Sequence, residues 1–140
     1  MPKQICVIDG QGGGIGAALI KSIRERYGES VELIALGTNA IATAQMLKAG
    51  ANKGATGENA ICRMLPRADC ILGPIAVSWA EAMLGEVTPG MAAAVTGADA
   101  VKILLPLSQE QVIVVAAAKE PLPHMVQEAV QRIQEVIEDV

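Results

Sequence analysis

The stretch that decides the fold is ICVIDGQGGGIGAALI, residues 5–20, where an apolar run ends on Asp9, five of the next seven positions are glycine, and apolar patterning resumes at Ile15. The run before Asp9 is short and unbroken, which suits a strand buried on both faces. Beyond the glycines, Ile15, Leu19 and Ile23 recur at helical spacing over residues 14–27. Strand, glycine loop and helix thus follow one another directly. Missing Cβ atoms let a ligand approach the loop backbone, and the positive end of the following helix favours a phosphate.

The alternation continues downstream. VELIAL (31–36) reads as a second strand, residues 39–49 as a helix ended by Gly50, NKGATG as a stub of strand, and ENAICRML as a helix stopped at Pro66. ADCILG (68–73) and AVKILLP (100–106) are further strands. QVIVVAA (111–117) follows so closely that it is expected to pair antiparallel, because a parallel crossover takes about a dozen residues. Between these strands IAVSWAEAML reads as one helical segment, and VTPG puts Thr88 at an N-cap with Pro89 at the first helical position. Residues 124–140 carry Val126, Ala129, Val130, Ile133 and Ile137 as one stripe of a closing helix. The expected architecture is an α/β, Rossmann-like three-layer sandwich over residues 1–140. Its sheet is mostly parallel in the order 3-2-1-4-5, with an antiparallel sixth edge strand. In such sheets ligands bind at the carboxyl ends of the strands where strand order reverses, here the loops after the first and fourth strands.

Composition narrows the partners. The hydrophobic share is 51 % with one Trp, one Tyr and no Phe, so small and aliphatic side chains fill the core, and the apolar excess implies a homodimer or higher homo-oligomer. The net charge of −4, with eleven scattered Lys and Arg, argues against nucleic-acid binding. No apolar run reaches the ~18 residues of a membrane span, and a signal-peptide pattern is missing at the N-terminus, so a cytoplasmic protein without membrane association is expected. Cys6 and Cys70 fall in strand-like runs and read as buried thiols; with one His and no Cys-x-x-Cys, no metal site is expected.

Within DGQGGGIG, Gly10, Gly14 and Gly16 form G-x-x-x-G-x-G, and no Gly-Lys-Ser/Thr follows as a P-loop would require. The spacing resembles the first motif of the short-chain dehydrogenase/reductase family, which implies a dinucleotide, NAD or NADP. Gly10, Gln11, Gly12, Gly13, Gly14, Ile15 and Gly16 are the expected pyrophosphate cradle, with Thr38 and Asn39 toward the ribose and Gly73 and Pro74 bordering the far side. Asp9 is expected to be tied up by loop amides. The second strand ends in LGTNA, with neither the acid that commonly binds ribose hydroxyls nor an Arg, so NAD and NADP are not distinguished. Thr56, Glu58 and Asn59 stand either near an adenine edge or in an ordinary helix start.

Catalytic groups are scarce. That family uses Tyr-x-x-x-Lys, whereas Tyr27 is followed four residues on by Val31; His124 reads as a surface residue, and Ser78 and Glu86 have no visible partner. The segment around Trp79, Met83, Leu84 and Met91 is either an interface or a core helix pair. Over most of its length, through VIDGQGGGIG, ADCILGPIAV, MLGEVTP and VKILLPL, the chain also resembles an uncharacterised family of short bacterial proteins, a domain of unknown function. That resemblance implies a Rossmann-like nucleotide-binding domain in a bacterial, anaerobe-associated setting. The expected role is a nucleotide-binding sensor or accessory subunit. The alternatives are an NAD(P)-dependent oxidoreductase completed by a partner, or a structural subunit without a ligand.

Overall fold

The computed structural model describes residues 2–108, 110–117 and 119–138. Strands β1 (Lys3–Asp9), β2 (Val31–Gly37), β3 (Lys53–Thr56), β4 (Cys70–Pro74) and β5 (Val101–Leu105) form one sheet in the order β3-β2-β1-β4-β5, every pairing parallel. The helices are α1 (Gly14–Tyr27), α2 (Ala40–Ala49), α3 (Glu58–Met64), α4 (Pro89–Gly97) and α5 (Leu122–Glu138). The last two positions expected in the closing helix, 139 and 140, lie outside the described residues.

Strand residues alternate between two cores. Ile5, Val7, Leu33, Ala35, Cys70 and Leu72 pack with α1, α2 and α5. Cys6, Ile8, Ile34, Leu36 and Ile71 pack with α3, α4 and the segment after β4. Helices therefore cover both faces, which explains why these strands are unbroken apolar runs. Local signals set the helix ends. The Asn39 side chain accepts from the Ala42 amide to cap α2, Thr88 accepts from Met91 to cap α4 with Pro89 in its first turn, and Gly50 ends α2 at φ 128°. Among the described residues no helix is long and apolar enough to cross a membrane.

Two expectations fail. Residues 111–117 form no sixth antiparallel strand. They are exposed throughout, a turn at Val115–Ala116 with φ 69° at Ala116 interrupts the extended run, and Val112, Ile113 and Val114 wall a cavity instead of pairing with β5. Nor is IAVSWAEAML one helix. Only a 3-10 turn, Ile75–Ser78, forms, after which Glu81, Met83, Leu84 and Gly85 all take positive φ. Long-range hydrogen bonds, described below, hold residues 79–88 as a strap and override the local helical pattern.

Candidate functional site

The site grows from the carboxyl end of β1. Asp9, 3 % exposed, accepts from the amides of Gly10 (2.8 Å) and Gly16 (2.7 Å), so its carboxylate ties the first and last glycines of the loop together. Burial pushes the Asp9 carboxyl above its ordinary value, and the amides of Gly16 and Gly10 oppose that shift. The loop itself is a tight turn, closed by the Gly13 amide on the Gly10 carbonyl at 2.9 Å. Gly13 is required twice: its φ is 74°, and a Cβ there would meet Ala42 backbone at 2.8 Å.

The glycines fall into two groups. A Cβ on Gly10 would meet Met83 Sδ and Thr38 Oγ1, each at 2.5 Å, and one on Gly16 would meet Met46 Sδ at 2.5 Å, so both serve close packing. Gly12 and Gly14 are exposed, and a Cβ on either would meet nothing within 4 Å. Their amides have no protein acceptor among the described residues. They face a cavity of about 390 Å³ lined also by Pro74, Ala76, Leu107 and Leu122, and by Met83, which packs on Gly10. A second cavity of about 650 Å³, with Trp79, Val112, Ile113 and Met125 among its walls, shares Leu107 and Ser108 with the first. Together they offer backbone donors at one end and apolar walls at the other.

Of the expected site residues, Gly10, Gln11, Gly12, Gly13, Gly14, Ile15 and Pro74 line this cavity. Gly16 is buried under the loop. Gly73 is also buried, its missing Cβ making room for the Ile8 carbonyl of β1. Thr38 and Asn39 lie on the other flank of β1 and are joined there by a residue the sequence did not connect to them. Glu86 Oε1 accepts from the Gln11 amide (2.8 Å), the Thr38 hydroxyl (2.7 Å) and the Asn39 side-chain amide (2.8 Å). Burial raises the Glu86 pKa, but these three donors outweigh it and hold the carboxyl below its ordinary range. Gln11, whose φ of 50° is unusual for a residue with a side chain, is bonded on both sides, its amide donating to Glu86 and its carbonyl accepting from the Asn39 side-chain amide at 2.9 Å. No local signal reveals this cluster, because Glu86 lies 47 to 75 positions from its three donors.

The remaining candidates have structural partners. The Tyr27 hydroxyl donates to the Val130 carbonyl, Ser78 Oγ donates to the Ile75 carbonyl within its own turn, and His124 is exposed in the first turn of α5. Thr56 shares a hydrogen bond with Thr43, the Thr88 hydroxyl donates to Glu58, and Asn59 is exposed. Burial pushes the thiols of Cys6 and Cys70 up to about 12, which leaves them inert. Met83 and Met91 are core residues and Trp79 is half-buried, whereas Leu84 is 97 % exposed.

The sequence matches the model of one protein family, described as Domain of unknown function (DUF3842), over residues 4–138. The chain belongs to that family. No curated protein matches the sequence. Among solved structures the chain is similar to a dodecameric FMN-dependent UbiX-like decarboxylase from Escherichia coli O157:H7, at 16 % identity and a TM-score of 0.46, with 97 % of this chain and 94 % of that one covered.

Proposed function

We propose that this member of the family binds a phosphate-bearing nucleotide at the glycine loop and acts as a sensor or accessory subunit. The observation that carries the reading is the cavity against Gly12 and Gly14, whose bare amides stand at the positive end of α1. The phosphate would rest on this part of the Gly10–Gly16 loop, and the rest of the ligand would run past Pro74 toward Leu107 and Ser108. The loop spacing favours a nicotinamide nucleotide, with NAD and NADP the first to test; Thr38 and Asn39 reach a ribose only once Glu86 releases them. Among the described residues of this lining, Asp9 and Glu110 are the ionisable ones, and Asp9 is already engaged by amides, which favours sensing over self-sufficient catalysis. Exposed Leu84, Ile113 and Val115 supply apolar surface for a homo-oligomer or a partner chain.

Thermal unfolding with NAD, NADH, NADP, NADPH, ADP-ribose, ATP and FAD, and with the mononucleotides nicotinamide mononucleotide and FMN, tests the reading. A ligand at ~100 times its dissociation constant stabilises by about 2.7 kcal/mol, which raises the midpoint by several degrees. No shift with any of them, in protein free of carried-over ligand, would reduce the loop to a packing turn and put the structural-subunit role first.

A further inference from the structure

A dinucleotide in a doubly wound sheet lies across the crevice at the end of β1, with a ribose over the end of the next strand in the first half of the sheet. In this protein that strand is β2, and it ends beside Thr38 and Asn39. Both side chains donate to Glu86 Oε1, as does the Gln11 amide, so the donors that a ribose or a second phosphate would use are engaged by the protein's own carboxylate. The space is filled as well, since Met83 packs so closely over Gly10 that a Cβ there would come 2.5 Å from its sulfur.

The strap carrying both residues is itself tied down. Its base is closed by the Glu81 amide on the Val87 carbonyl (2.7 Å) and the Val87 amide on the Ala82 carbonyl (3.1 Å). Across β1 the cavity stays open and continues into the chamber beside Trp79. One flank therefore accepts a phosphate and a ring, while the other is occupied by a carboxylate that would repel a second phosphate.

We propose that Glu86 is a specificity-determining residue that restricts the glycine-loop site to mononucleotides, one phosphate ester carrying one ring, and excludes the corresponding adenylylated dinucleotides. The inference rests on the nucleotide reading above but makes a separate claim about which nucleotide fits.

Matched pairs test it: nicotinamide mononucleotide against NAD, and FMN against FAD, titrated calorimetrically into the full-length protein and its Glu86→Ala and Glu86→Gln variants. The unmodified protein should bind the mononucleotide of at least one pair about tenfold or more tightly than its dinucleotide. Glu86→Ala should raise dinucleotide affinity about tenfold while changing mononucleotide affinity by less than about twofold. Glu86→Gln keeps the side chain's size but not its charge, and should give a smaller rise in a fold close to the original. Equal affinity within each pair in the unmodified protein overturns the inference and leaves the glycine-loop site intact. Weaker dinucleotide binding by the variants also overturns it, because the carboxylate would then be reading ribose hydroxyls. If no member of either pair binds any folded form, the site reading falls and the inference with it.

Discussion

The two flanks of β1 share one loop and have opposite characters. Toward β4 the backbone of Gly12 and Gly14 is bare, and a missing Cβ leaves open space. Toward β2, Gly10 is packed against Met83 and Thr38, and Glu86 gathers three donors onto one oxygen. Glycine thus does two jobs within a few residues: on one side it admits protein atoms, and on the other it leaves room for something else. A glycine-rich motif alone does not reveal which job a given position performs.

Substitutions on the two flanks should therefore behave differently. The largest effect is expected from Gly10→Ala, whose methyl group would collide with Met83 and force Thr38 away from Glu86. Overpacking of this kind costs about 2 kcal/mol, readable as a lower urea midpoint. Unchanged stability would mean that the β2 flank is looser than its contacts indicate.

Glu86→Gln should cost about 1 kcal/mol, because hydrogen bonds to a charged acceptor become neutral ones. Its pH dependence has a definite sign. The native Glu86 pKa lies below the ordinary 4.5, so the unfolded chain takes up this proton first as pH falls. The contribution is fully present well above pH 4.5 and is lost as pH falls through the lower native value. The stability gap between the original protein and Glu86→Gln should accordingly be flat near neutrality and narrow below pH 4.5. A gap that persists unchanged into strong acid would show that the carboxylate's charge is not what holds the strap.

The smallest change in stability is expected from Gly14→Ala on the open flank. Removing a glycine from the first turn of α1 into empty space should leave the fold unchanged or gain about 0.5 kcal/mol. The same methyl group, and more so the larger side chain of Gly14→Val, projects where the phosphate is proposed to sit. Ligand-induced stabilisation should disappear while the unfolding midpoint without ligand holds. Retained ligand response in a stable Gly14→Val variant would move the phosphate off this position.

Legibility followed the range of the interactions. Residues 14–27 were readable as a helix because the apolar spacing lies within the helix itself, and Asn39, Gly50, Thr88 and Pro89 mark helix ends through neighbours at most a few positions away. The parallel order β3-β2-β1-β4-β5 follows from alternating strands and helices with right-handed crossovers. Residues 75–84 carried a helix-like apolar pattern, yet the strap 79–88 that forms there is tied down by Glu86 reaching Gln11, 75 positions earlier. Residues 111–117 were rich in strand formers, yet they wall a cavity instead of extending the sheet.

The candidate site divides in the same way. The glycine loop and its place after β1 could be read directly, and so could the engagement of Asp9 by loop amides. That the partners are Gly10 and Gly16, that Thr38 and Asn39 serve Glu86, and that Leu107 and Leu122 complete the cavity required the folded chain.

By itself, the sequence determined the layered parallel sheet, the boundaries of α1 and α2, the start of α4 and the position of the glycine loop, because periodicity, caps and turn residues act over a few positions. Only the tertiary structure decided which flank of β1 is open and which is closed. That choice rests on a carboxylate and a methionine brought in by a strap from beyond β4, and a contact between residues so distant in the chain exists only once the sheet has assembled.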